Sequence, residues 1–384
     1  MTRNFQYRIY PTGKQTRQMD AVLTVCQRLW NYFLEQKSVA YKTTKTSISC
    51  FTQIKEIPKL ALKDESIREV YSQTLQDVPR RLDKAFQSFF RRVKQGEDPG
   101  YPRFKGKDRY NSFTYPQNNG SFKLTEDGRI YLSKIGCVKI ECHREAKGIW
   151  KICTVKRTST GKWYVVISSI LPDVKVAKST KPAVGIDLGL KVFAVLSDGS
   201  VIKRARFFKR EEDALAKAQR KLAKQVKGTP ERKKVKKVVA RIHERIADKR
   251  NDFTHQNSRR IANAYGIICI EDLNIKGMQM KPTIVIQGKE KSARGIHRSI
   301  LDVAWNQFDN QLSYKAEEAG GLVVRGNPAG TTKKCSACGK SRSMDLSQRE
   351  YVCFCGHKED RDSNSSKNIL SVGLHTLEAF KKVS

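Results

Sequence analysis

Apolar and polar positions alternate over the first ten residues, with Phe5, Tyr7 and Ile9 on one side and Gln6, Arg8 and Tyr10 on the other. That period predicts a strand, and Pro11-Thr12-Gly13 ends it. Met19, Val22, Leu23, Cys26, Leu29, Trp30, Phe33 and Leu34 then recur at helical spacing. Lys14, Arg17, Arg28 and Lys37 occupy the polar face. A second helical region is expected from about Ser66 to Gln95, on the stripe Leu75, Val78, Leu82, Ala85, Phe86 and Phe89. Pro79 should kink or restart it, with Arg80, Arg81, Arg91 and Arg92 outside. Gly100 to Gly106 reads as a basic, turn-rich link.

From 111 to 171 the pattern becomes β. Asp127-Gly128 between FKLT and RIYL is a hairpin signal. Ile149–Arg157 and Lys162–Leu171 flank a second turn. A small antiparallel barrel is expected, joined by the first strand, with the helices inserted between. Pro172 and Pro182 bracket a linker. After Ala183 the pattern is α/β: VGIDLGLKVFAVLSDGSVI reads as strand, turn, strand, turn, strand. Two long helices follow over 211–265, broken at Gly228-Thr229-Pro230, the second with a seam of Val235, Val238, Val239, Ile242 and Ile246. GIICIEDL (266–273) is a buried strand. Trp305, Phe308, Leu312 and Ala316 mark a helix that ends at Gly320-Gly321, and LVVRG is the next strand.

Charge narrows the partner. The 384 residues carry 75 Lys+Arg against 38 Asp+Glu, a net charge of +37. A chain this cationic repels itself when compact, so a polyanion is expected to compensate it. Between Lys203 and Arg260 stand 21 Lys/Arg and 7 Asp/Glu, a local excess of 14 positive charges. The longest apolar runs, such as WYVVISSIL, fall far below the ~20 residues of a membrane span. MTRNFQYRIY has no apolar signal core, so a cytosolic protein is expected. Tyr101, Phe104 and Tyr110, set among basic residues, are candidates for stacking on bases, with ordinary packing as the alternative.

Six of the ten cysteines are scattered, and four cluster at Cys335, Cys338, Cys353 and Cys355. Cys-x2-Cys, a spacer of 14 residues, then Cys-x-Cys matches a four-thiolate zinc ribbon whose second knuckle is one residue short. Uncoordinated thiols are the alternative, and His357 is an alternative fourth ligand. Four cysteine ligands leave no open position for catalysis. Acids also stand in unusual places: Asp187 within VGIDLG, Glu271 ending IICIE, and Asp360 and Asp362 after the second knuckle. An acid at the end of a buried strand is expensive unless paired or metal-bound. Converging carboxylates can hold two Mg²⁺ about 3.5–4 Å apart for phosphodiester hydrolysis. A salt bridge to one of the many Lys/Arg is the alternative for each. Asp272 reads as a turn or cap residue.

Together, GIDLG, IEDL and DRDSNSSKNI resemble the three acidic motifs of a RuvC-type, RNase H-like nuclease. Their order around a cysteine ribbon resembles the TnpB (OrfB) family of insertion-sequence proteins, related to type V CRISPR effectors. FQYRIYPTGKQ, LDKAFQSFFRR, GYPRFKGK and NPAGTTKKCSACG also fit, so the resemblance covers nearly the whole chain. It implies Asp187, Glu271 and Asp362 as catalytic, Mg²⁺-binding acids. Asp360 is then a neighbour, Arg361 and Asn364 support the carboxylates, and Asn364-Ser365-Ser366 replaces the family's Asn-Ala-Ala. It implies a multidomain fold: a wedge-like β-barrel (1–10 and 111–175), an inserted helical recognition lobe (11–110), an α/β RuvC-like domain (183–330 and 359–384) and an inserted zinc ribbon (331–358). The long basic helices would contact a guide–target duplex. The implied function is RNA-guided cleavage of double-stranded DNA beside a short flanking motif, in a prokaryotic cytosol or nucleoid, with a noncoding guide RNA. A separate transposase would serve the same element. The alternatives are a compact type V CRISPR effector, an RNA-guided DNA binder without cleavage, and a transposase that joins ends itself.

Overall fold

The computed structural model describes residues 2–106, 109–172, 179–280, 283–286, 289–344 and 348–383. It divides into two units, residues 1–174 and 175–384. Most of the linker expected between Pro172 and Pro182 lies outside the described residues.

In the first unit β1 (Thr2–Tyr10) leads into α1 (Gly13–Thr44), α2 (Cys50–Lys63), α3 (Glu65–Arg68) and α4 (Ser72–Lys94). Thr12 starts α1 with a capping box: its side chain accepts from the Gln15 N–H, and the Gln15 side chain accepts from the Thr12 N–H. The predicted stripe from Met19 to Leu34 is the buried face of that helix. α4 runs continuously through the buried Pro79, where a kink or restart was expected. Arg81, expected outside, is instead half-buried, 2.6 Å from Asp77 and donating to the Ser112 carbonyl.

β2 (Ser112–Tyr115), β3 (Phe122–Leu124), β4 (Arg129–Leu132), β5 (Gly136–Glu141), β6 (Ile149–Arg157) and β7 (Trp163–Ile170) follow. They form one antiparallel sheet in the order β2-β6-β7-β1-β5-β4-β3. The first strand is thus central, and its alternation puts Phe5, Tyr7 and Ile9 on one buried face. The outer strands approach through Tyr115, whose ring lies 6.3 Å from Phe122 and whose hydroxyl donates to the Ser133 carbonyl. Among the described residues no backbone ladder joins β2 to β3, so the expected barrel is a curled sheet with side-chain closure. Residues of α1, α2, α3 and α4 share one hydrophobic core with this sheet.

In the second unit β8 (Ala183–Leu188), β9 (Ala194–Leu196) and β10 (Val201–Ile202) precede the basic helices α5 (Phe207–Ala223) and α6 (Pro230–Ala264). Thr229 caps α6 and Pro230 opens it, as the sequence break predicts. Its buried seam is Val235, Ile242 and Ile246, whereas Val238 is exposed. β11 (Ile267–Glu271), α7 (Ile275–Met280), β12 (Thr283–Ile286), β13 (Lys289–Ser292), α8 (Arg294–Val303), α9 (Trp305–Glu318) and β14 (Leu322–Gly326) come next. The hairpin β15 (Glu350–Val352) and β16 (Lys358–Asp360) leads into α10 (Arg361–Val383).

The main sheet of this unit has the order β10-β9-β8-β11-β14. β8, β9 and β10 form an antiparallel meander, while β11 pairs parallel with β8 and β14 parallel with β11. Its two faces separate by residue parity. Val184, Ile186, Ile268 and Ile270 join the core built with α6, α8 and α9. Ile267 and Cys269 join Ile369 and Leu370 of α10.

Candidate acidic site and cysteine centre

Parity and register place the first two acids. Ile186 and Ile270 are partners on the parallel strands β8 and β11. Asp187 and Glu271 are the next residues of each, so both stand at carboxyl ends on the α10 face. The third acid comes from that helix. Asp360 accepts from the backbone N–H groups of Asp362 (2.9 Å) and Ser363 (3.1 Å), capping α10 and setting Asp362 in its first turn.

Glycine lets α10 come close enough. A Cβ on Gly185 would meet the Ser366 carbonyl and would lie 2.6 Å from the Leu370 nitrogen. A Cβ on Gly373 would lie 2.6 Å from that of Cys269. The helix therefore crosses the sheet on bare backbone, with Ser365 and Ser366 fully buried beneath it.

The electrostatics follow from that crowding. Burial, then Glu271, then Asp362 push the Asp187 carboxyl up to about 7, while a hydrogen bond from Ser365 and the charge of Arg361 pull it down. Burial also raises Glu271, against a hydrogen bond from Thr331. Asp362 is flanked by Arg361 at 3.2 Å and Arg349 at 3.3 Å. A cleft of about 310 Å³ opens here, lined by Asp187, Asp362, Lys191, Trp305, Arg349 and Arg361. Hard carboxylate oxygens whose charges repel one another in a half-buried site fit a divalent cation such as Mg²⁺.

The cysteines converge more tightly. Their sulfurs form the one group of Cys, His and carboxylate ligands among the described residues whose atoms all lie within 4.8 Å of one another. Cys335 and Cys355 are 3.8 Å apart and Cys338 and Cys353 are 3.5 Å apart. Disulfide sulfurs would lie at about 2.05 Å. Four thiolates around one zinc at about 2.3 Å lie about 3.8 Å from one another. Gly339 and Gly356 end the knuckles with φ of 75° and 85°, a conformation glycine adopts without strain. The short second knuckle therefore still delivers Cys355. His357 bonds to Ser336 and Glu359, outside the cluster.

Two side chains differ from the sequence reading or were absent from it. Asn364, expected beside the carboxylates, faces the cysteine turn: it accepts from the Ser336 N–H and donates to the Lys334 carbonyl, both at 2.8 Å. Its helical position one turn beyond Asp360 points it there. Thr331 was not singled out, yet its buried hydroxyl donates to Glu271 Oε1 at 2.6 Å. It lies within NPAGTTKKCSACG, but nothing local gives it this role, because the partner is 60 residues away. Of the stacking candidates, Tyr110 is buried beside Trp30, whereas Tyr101 and Phe104 are exposed.

Known proteins share this arrangement of sequence. "Putative RNA-guided DNA endonuclease InsQ" of Escherichia coli (strain K12) is 31% identical over 390 residues, covering 99% of this chain and 94% of that protein. The chain belongs to the TnpB (OrfB) family. A "Putative RNA-guided DNA endonuclease" of Streptomyces pristinaespiralis is 32% identical, over 97% of this chain and 89% of that one. Family models match at 153–281 ("Probable transposase"), 305–369 ("Cas12f1-like, TNB domain") and 1–46 ("Helix-turn-helix domain"). In this TnpB-family chain the last range holds one strand and one long helix instead. The fold resembles the protein in "Cryo-EM structure of the Cas12f1-sgRNA-target DNA complex", with a TM-score of 0.57 at 13% identity over 96% of this chain and 98% of that one. Among the described residues no helix is long and apolar enough to cross a membrane.

Proposed function

We propose that the chain is an RNA-guided DNA endonuclease of an insertion sequence, with a RuvC-type active site at Asp187, Glu271 and Asp362. The observation that carries this is the convergence of those acids on one face of a mixed sheet, in a chain of net charge +37. The strand order, an antiparallel meander extended by two parallel strands, supports an RNase H-like domain over 183–330 and 359–384. Residues 331–358 are the ribbon and hold one zinc ion on Cys335, Cys338, Cys353 and Cys355. Residues 1–10 with 111–175 act as the wedge, and 11–110 as the recognition lobe.

A noncoding guide RNA pairs with one strand of the target, so base pairing reads most of the sequence and the protein reads backbone shape and a short flanking motif. Asp187, Glu271 and Asp362 would hold two Mg²⁺ ions, which would supply water activation and stabilisation of the leaving oxygen. Arg349 and Arg361 neutralise Asp362 and present N–H donors at the cleft edge to a bound phosphodiester. Joining DNA ends falls to a separate transposase.

The test is Asp187→Ala on the full chain with its copurified RNA. Cleavage of matched duplex DNA should disappear while binding of that DNA persists. Undiminished cleavage would overturn the assignment, and strand-transfer product from this protein alone would favour a transposase instead.

A further inference from the structure

The loop that enters the cysteine ribbon is tied at both ends. At its start, Thr331 bonds to Glu271 at 2.6 Å, and its hydroxyl also lies 3.2 Å from the Pro328 carbonyl. Its own carbonyl accepts from Asn368 at 2.8 Å. Three residues on, the Lys334 carbonyl accepts from both Asn364 (2.8 Å) and Asn368 (2.7 Å). The next residue is Cys335, the first sulfur of the cysteine cluster. Asn364 and Asn368 are one turn apart on α10 and both are buried, so the helix grips this loop twice. Two backbone bonds to the Gly330 carbonyl, from Lys333 and Lys334, close the turn between them. Three residues thus separate the hydroxyl that donates to Glu271 from the Cys335 sulfur, and the bonds to the Thr331 and Lys334 carbonyls fix one relative to the other.

Glu271 stands at the carboxyl end of β11, and among the described residues the hydrogen bond to its carboxylate comes from Thr331, which orients it. We propose that Thr331 is a positioning residue: it orients Glu271 for divalent-cation binding, and the metallated cysteine centre in turn holds Thr331 in place. The inference rests on the nuclease reading of the acidic site. It gives the ribbon a role in the active site, in addition to its own stability. Outer groups of this kind typically change metal affinity by about 10–100-fold when removed.

The experiment uses the full chain freed of nucleic acid, titrated with Mn²⁺ as the probe and followed by electron paramagnetic resonance. A parallel series measures the Mg²⁺ concentration that half-saturates cleavage by the RNA-loaded protein. Thr331→Val keeps the shape and removes the hydroxyl. It should weaken Mn²⁺ binding by about tenfold and raise the Mg²⁺ requirement by a similar factor, with zinc content and melting temperature close to wild type. Thr331→Ser should recover most of that loss. Stripping zinc should weaken Mn²⁺ binding strongly in wild type and much less in Thr331→Val, because the link is already cut. Wild-type Mn²⁺ affinity in Thr331→Val, with Glu271→Gln clearly impaired, would overturn the proposal and leave the nuclease reading intact. If Glu271→Gln also binds Mn²⁺ and cleaves as wild type does, the acidic-site reading itself falls. Equal effects of zinc removal in both backgrounds would overturn the coupling.

Discussion

Gly185 of β8 lies directly under Leu370 of α10, with room for no side chain: a Cβ there would sit 2.6 Å from the Leu370 nitrogen and 2.8 Å from its Cβ. The obstacle is backbone and cannot swing away. Gly185→Ala should lift α10 from the sheet and carry Asp362 away from Asp187. The expected result is a loss of about 1–3 kcal/mol from overpacking, together with loss of cleavage. Gly295, which has open space around its would-be Cβ, is the control. Gly295→Ala should leave the melting temperature unchanged or slightly raised. A Gly185→Ala protein that melts and cleaves like wild type would contradict the close crossing.

Asp187 makes stability depend on pH in a stated direction. Its carboxyl is raised from 3.8 to about 7 in the folded, cation-free chain. Between those values the folded state binds the proton more tightly than the unfolded state, so this group's stabilising contribution is present at the acidic end and is lost as pH rises through about 7. Asp187→Asn removes the titration. In chelator, the melting temperature of wild type should fall more steeply from pH 5 to 8 than that of the variant. Parallel curves would show that the three acids do not crowd one another. Added Mg²⁺ should flatten the wild-type curve by stabilising the ionised form.

What the sequence reveals depends on whether the signal is local. Asp187 and Glu271 stand out because a charge closes an apolar strand, and the cysteine pairs stand out by spacing. α1 was legible because its stripe is periodic and unbroken. α2 was not: Pro58 stands inside it, a residue that usually ends a helix, and its core face of Gln53, Ile57, Leu60 and Ala61 is short and mixes polar with apolar. Thr331 and Arg349 were invisible for another reason. Their roles arise from contacts with Glu271, 60 residues earlier, and Asp362, 13 residues later. Asn364 was visible as part of a motif, but a helical residue's direction depends on what lies across from it, here the cysteine turn rather than the carboxylates.

The spacing of the four sulfurs makes a stoichiometric prediction. The full chain should carry one zinc per molecule, measured by elemental analysis. Cys355→Ser, in the shortened knuckle, should lose it, since an alcohol is a poor substitute for a thiolate. Losing the metal frees the turn that Asn364 and Asn368 hold, so the melting temperature should fall as well. Retention of full zinc content by Cys355→Ser would instead point to His357 as the fourth ligand.

The basic helices make a prediction about salt. Lys233, Lys234, Lys236 and Lys237 at the start of α6 are all exposed. Elsewhere acids occupy some of the cations, as Glu211 does with Arg245 at 3.0 Å and Lys249 at 3.2 Å. The four lysines carry no such ion pair among those described, so they are free to meet phosphate. Each phosphate contact to a duplex contributes about 0.9 to the slope of log affinity against log salt. Replacing all four lysines by glutamine should therefore reduce that slope by up to about 3.6 for duplex binding, if every one of them touches the backbone. Affinity at low salt should fall with it, while the cleavage rate of bound DNA stays as in wild type, because Asp187, Glu271 and Asp362 are untouched. An unchanged slope would place the nucleic acid on another surface.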